Sequence, residues 1–338
     1  MELIINKRIK CDISVAIIES PLQALSLNAD LCNHGEVNCF FRKGVVSPEL
    51  VKLMSKDNDS VSLLSFRGIL KLINLCIINR VKNLIIDPRN SYGILLYILL
   101  RPKIITFLDD GMFSVYFDQT GDINVNVKGA YLKTLFVKYL SSKNIVERAS
   151  LYNLPIIYKY KDIRRNQFPN FSPQLLKILG VHEKKITFEK NIGEKTLYYI
   201  QSSLDGWIDI EMEKEVYKKV CEFADIKNLQ CVFVLHRLCN EEQFLKQFPF
   251  IKKSQILKID VPVEAFFSII NSNDLIGFSI TSSIYGLSNL YKDNSFVHFY
   301  PELKSFYDNR HKLVNNFYHN VDISIRSEKF FQVSVNVK

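Results

Sequence analysis

At 338 residues and 47% apolar side chains, the chain is too long for one ordinary core and too apolar to be disordered, so two domains are expected. Its formal charge of +9 favours phosphates or anionic surfaces as partners and carries no information about fold. Seven cysteines at irregular spacing, most of them in apolar stretches, exclude a zinc pattern or a disulfide framework and read as reduced thiols of a cytosolic protein.

Lys7, Arg8 and Lys10 precede an apolar run at 13–18, which is too short for a secretory leader and ends at Glu19. That run reads as the first strand. Ser20 and Pro21 follow it as a helix start, with Leu22 and Gln23 in the first turn. A second strand is expected at 37–41, then a helix at 48–54 opened by Ser47, Pro48 and Glu49, a helix at 68–79, and strands at 81–87 and 103–109. The apolar stretch 93–108 is broken by Arg101, Pro102 and Lys103, short of the roughly 20 residues needed to span a bilayer. At 131–140, Leu132, Phe136 and Leu140 form one helical stripe beside Tyr131, Leu135 and Tyr139. With Lys128, Lys133 and Lys138 the segment fits either a core-facing helix or one resting on an anionic leaflet.

Between 164 and 195 the pattern loosens around Pro169, Pro173, Gly180 and Gly193, and a linker is expected there. Strands then return at 196–201, 230–236, 256–259, 275–281 and 296–300, with helices at 210–223, 241–248, 263–270 and 284–290. The alternation predicts parallel sheets in two doubly wound α/β domains. The expected boundaries are 1–175 for the first domain and 176–310 for the second, with a segment at 311–338 that packs back on the first. Weak alternation at 322–326 and 331–337 fits strand or coil.

Open α/β sheets bind ligands at the carboxyl ends of their strands. Asp109, Asp110 and Gly111 end an apolar strand, so one carboxylate can serve as general base with Gly111 admitting a close substrate; an Asp-Gly turn explains the same residues. His236 and Arg237 end the strand before them, where an imidazole fits a phosphate or a backbone partner. Thr281, Ser282 and Ser283 stand between a strand and a helix, as an anion site or as a simple cap. Glu264 opens a helix, either binding ribose hydroxyls or favoured by the helix dipole.

The order of these motifs resembles the bacterial sialyltransferases that use CMP-activated sialic acid, including the lipooligosaccharide sialyltransferases and polysialyltransferases. Those enzymes share an acid-acid-glycine motif, His-Pro and Ser-Ser/Thr, and an early Ser/Thr-Pro-Leu/Phe segment that Ser20, Pro21 and Leu22 match. The chain departs from them at Arg237, where they carry proline. The resemblance implies a GT-B fold, two Rossmann-like domains facing each other across a cleft. It implies Asp109 as the base, with Asp110 the alternative, and Gly111, Pro21 and Gln23 lining the acceptor side. His236 is implied at the CMP phosphate, with Thr281, Ser282 and Ser283 holding its oxygens and Glu264 at cytidine or ribose. The implied reaction is inverting and independent of metal or cofactor, with CMP-sialic acid as the donor substrate. The acceptor is a bacterial surface glycan such as an O-antigen, lipooligosaccharide or capsule precursor, lipid-linked in some cases, at the inner face of the cytoplasmic membrane with peripheral contact to anionic lipid. Other CMP-linked donors, Kdo or legionaminic acid, fit the same motifs. A non-catalytic nucleotide- or nucleic-acid-binding α/β protein is the competing class, but the basic residues are dispersed apart from Lys159, Lys161, Arg164 and Arg165, so no nucleic acid is expected.

Overall fold

The computed structural model describes residues 12–34, 37–42, 61–62, 66–78, 80–90, 92–109, 111–121, 130–169, 171–179, 195–202, 207–236, 239–259, 262–267, 271–325 and 330–336. They form two compact units. The first extends to Pro169; the second takes the chain beyond it together with Tyr152–Ile156.

The first unit contains, in chain order, β1 (Asp12–Ile18), α1 (Pro21–Asp30), β2 (Val37–Phe41), β3 (Val61–Ser62), α2 (Phe66–Ile78), β4 (Arg80–Ile86), α3 (Gly93–Leu100), β5 (Ile104–Phe107), α4 (Met112–Thr120), α5 (Ala130–Ser142), β6 (Val146–Ser150) and β7 (Asp162–Arg165). Its strands form one parallel sheet in the order β3-β2-β1-β4-β5-β6-β7. β1 and β2 are buried almost throughout, Ser14 and Asn38 included, which is why they read as mostly apolar runs rather than alternating ones. One core joins Val15 and Ile17 of β1 to Leu72 of α2, Leu96 and Leu100 of α3, and Val137 and Leu140 of α5, so these three helices cover a single face of the sheet.

The second unit contains α6 (Pro173–Leu179), β8 (Thr196–Ile200), α7 (Ile210–Ile226), β9 (Gln230–Leu235), α8 (Glu241–Gln247), β10 (Ile256–Lys258), α9 (Val263–Phe266), β11 (Leu275–Phe278), α10 (Ser283–Leu290), β12 (Ser295–Pro301), α11 (His311–Ser324) and β13 (Phe330–Val335). Its sheet is also parallel, ordered β10-β9-β8-β11-β12-β13. Tyr199, Tyr217, Phe233, Phe244 and Phe248 pack edge to face or tilted in its core, the arrangement that ring quadrupoles favour. Both units are thus Rossmann-like doubly wound α/β domains, the domain content of the GT-B type.

The division between the units falls after Pro169, inside the stretch 164–195 where a linker is expected. The described part of 311–338 belongs to the second unit: β13 pairs with β12 and α11 packs on α10. Of the alternating stretch 322–326, Asp322–Ser324 is the end of α11, a helix whose buried Leu313, Val314, Phe317 and Val321 follow the 3.6 period. The helix expected at 48–54 lies outside the described residues, as do Asp110, Arg237 and Lys128.

Candidate functional site

In each sheet the chain leaves the first strand in one direction and later resumes on its other side. That switch lies between β1 and β4 in the first unit and between β8 and β11 in the second. The helices flanking a switch depart from opposite faces, which opens a crevice at the carboxyl ends of the two strands.

At the β1/β4 crevice, Ser20 caps α1 by accepting a hydrogen bond from the Gln23 amide at 3.2 Å, with Pro21 in the first turn. The buried Gln23 side chain in turn accepts the Glu19 N–H at 2.7 Å. Pro21 and Gln23 therefore shape the turn rather than offer groups to an acceptor. The bonds that Ser20 and Gln23 accept hold Glu19 at the crevice, where Asn90 donates to its Oε2 at 2.8 Å. Asp87 accepts from the Arg89 amide at 2.7 Å, and the Arg89 guanidinium lies over the Phe113 ring, 4.5 Å from its centroid. Glu19, Asp87, Arg89 and Asn90 escaped the sequence reading; the signal was available, since Asp87 ends an expected strand just as Asp109 does.

Asp109 ends β5, one strand further out, and it is completely buried. One carboxylate oxygen accepts from Arg148 Nη2 and the other from the Leu151 N–H. Arg148 spends its remaining donors on Asp118, at 2.8 to 2.9 Å, and on the carbonyls of Phe107 and Ala149. Tyr160 adds a 2.6 Å bond to Asp118. Burial and the neighbouring Asp118 push the Asp109 carboxyl above its usual range, against the pull of Arg148 and the Leu151 amide. Burial also works against the Arg148 charge, but Asp109 and Asp118 outweigh it. A raised pKa suits a general base; a carboxylate with both oxygens engaged and no solvent contact does not reach a hydroxyl. Asp109 is an anchor joining the end of β5 to β6. Gly111 has φ 81 and ψ −149, a region closed to other residues without strain, and its carbonyl opens α4 by accepting from Ser114 at 3.1 Å.

In the second unit, β9, β8 and β11 are adjacent. Gln201 follows β8 and accepts the His236 N–H at 2.9 Å, fixing the end of β9. His236 is half-buried, as are Thr281, Ser282 and Ser283 across the switch. Ser282 caps α10 with its backbone, and its hydroxyl makes no capping bond to the helix. His236 and the serine pair thus follow the carboxyl ends of β9 and β11, the two strands that flank β8. Glu264 is held by other contacts. It is buried in α9, its carbonyl accepts the Tyr291 hydroxyl at 2.6 Å, and burial pushes its carboxyl up to about 7.

Two members of the basic cluster are paired with acids. Arg164 binds Asp30 at 2.9 Å and Glu147 at 2.6 Å, and Lys161 lies 3.6 Å from Glu147. His34 contributes a further 2.8 Å contact to Asp30, so Arg164 is committed to holding α1, β6 and β7 together. The five cysteines whose surroundings are described are free thiols, with Cys39 and Cys231 buried and Cys32 exposed.

No protein-family model and no curated protein sequence matches the chain. Among solved structures, it is similar to a Methanocaldococcus jannaschii UDP-GlcNAc 2-epimerase in complex with UDP-GlcNAc and UDP, at 12% identity over 92% of this chain and 93% of that one, TM-score 0.48. It is also similar to S. aureus MnaA with UDP, at 11% identity over 94% and 89%, TM-score 0.48. E. coli heptosyltransferase WaaC with ADP aligns at 12% identity over 86% and 88%, TM-score 0.35. All three likenesses are distant.

Proposed function

We propose that the protein is a glycosyltransferase that uses a sugar nucleotide, and specifically an inverting sialyltransferase that draws on CMP-sialic acid. The observation that supports this reading is the position of His236 and of Ser282–Ser283 just beyond the carboxyl ends of β9 and β11, the two strands that flank β8. Hydroxyls, helix amides and an imidazole stabilise charge on a departing phosphate. In the reaction the acceptor oxygen forms a bond to the anomeric carbon as the bond from that carbon to the CMP phosphate oxygen breaks. The acceptor proton passes to a carboxylate.

Asp109 is engaged by Arg148, so the base role falls to Asp110, the next residue in the chain, with Asp109 as a positioning residue. The donor specificity rests on the motif order alone, and Kdo- or legionaminic acid-type CMP donors remain arms of the test. The experiment is CMP release from CMP-sialic acid, with and without EDTA, alongside UDP-linked and other CMP-linked sugars. Asp110→Asn is expected to lower kcat by about 10²–10⁴-fold, the usual contribution of a general base, and His236→Ala to lower turnover as well. Absence of CMP-sugar turnover, or full activity in Asp110→Asn, overturns the reading; loss of turnover with EDTA overturns its metal independence.

A further inference from the structure

The helices α2, α3 and α5 share the core over one face of the first sheet, and their outward sides are apolar. Leu95, Ile98 and Leu99 of α3 are 55%, 59% and 54% exposed, and Leu132 and Leu135 of α5 are 63% and 45% exposed. The α3 and α5 stripes adjoin, since Tyr97 packs against Phe136 with ring centroids 5.5 Å apart. Of the stripe Leu132, Phe136 and Leu140, Leu140 joins Val137 in the core and Phe136 packs against it, while Leu132 faces out.

Solvated helices do not look like this. The outward side of α7 alternates charges and closes the pairs Glu211–Lys214, Glu215–Lys218 and Lys219–Glu222. By contrast α2, α3 and α5 contain no aspartate or glutamate, while α2 carries Lys71 and α5 carries Lys138; Lys133 is half-buried and donates to the Arg89 carbonyl at 2.7 Å. Lys138 is exposed, and Lys143, just past α5, lies 5.5 Å from the Tyr139 ring centroid. An apolar layer with cations and no anions complements a leaflet of anionic lipid, where each lysine near the surface contributes about 1 kcal/mol. The same layer matches a second copy poorly, because an isologous contact sets like charges against each other. No helix among the described residues is long and apolar enough to cross a membrane, which leaves adsorption rather than insertion.

We propose that this face docks the protein on an anionic phospholipid surface, through α3 and α5 and independently of the transfer reaction. The test is flotation of the full chain with phosphatidylglycerol-containing vesicles against phosphatidylcholine alone, at low and high salt, together with sedimentation equilibrium. The chain is expected to float with the anionic vesicles and to release with salt. The double substitution Ile98→Glu and Leu99→Glu should cut binding by at least about tenfold without lowering the denaturation midpoint, since both side chains are mostly exposed. Lys138→Glu should weaken binding to anionic vesicles alone. Failure to float with either vesicle overturns the proposal, as does a dimer that the Ile98/Leu99 variant converts to monomer.

Discussion

Asn90 donates a 2.8 Å hydrogen bond to Glu19, joining the carboxyl ends of β4 and β1 where the first sheet changes direction. The bond brings together residues 71 positions apart. It puts a half-buried carboxylate at the place where doubly wound sheets take their ligands.

If that crevice serves the reaction, Glu19→Ala lowers kcat/KM for the glycosyl acceptor by about tenfold or more, while the lost hydrogen bond costs only about 1 kcal/mol of stability. Steady-state kinetics beside urea denaturation separate the two effects. An unchanged kcat/KM would leave Glu19 and Asn90 a purely structural pair.

Arg148→Met strands Asp109 and Asp118 as buried, unpaired carboxylates. Breaking a buried pair from one side costs roughly 3–5 kcal/mol, so the denaturation midpoint should fall steeply. Asp109→Asn should also cost stability, which marks Asp109 as an anchor; a variant as stable as the parent would contradict that role.

Glu264 gives a pH signature. Its folded pKa is raised by burial to about 7 from 4.5, so ionising it disfavours the folded state. The penalty is absent below about pH 4.5, grows as pH rises, and is complete above about pH 7, where it amounts to about 3 kcal/mol. Glu264→Gln should therefore be stabilised relative to the parent at alkaline pH, with the difference vanishing in acid. Urea unfolding across that range measures it.

Gly111→Ala forces a side chain into φ 81, ψ −149, at a cost of about 1–3 kcal/mol. Thermal unfolding should show the loss, with α4 opening first in amide hydrogen exchange.

The strands β1, β2, β8 and β9 were legible because strands buried on both faces are continuous apolar runs bounded by polar residues. β6 was not: Glu147 and Arg148 interrupt its apolar pattern, and only the pairing with Asp109 and Asp118 makes a buried arginine tolerable. α11 was missed because its last residues alternate, although its first ten keep the helical period.

Asp109, His236 and Ser282–Ser283 were recognisable as strand-end residues, because a strand's end and its polar punctuation are local. The setting of each one was decided by residues far along the chain. Arg148 and Leu151 enclose Asp109, Gln201 fixes His236, and Asn90 meets Glu19, all through strand order. Likewise the apolar and basic character of α2, α3 and α5 is written in their residues. Their alignment on one exposed face follows from the sheet they cover, since helical period sets which residues share a side and only packing sets which side meets water.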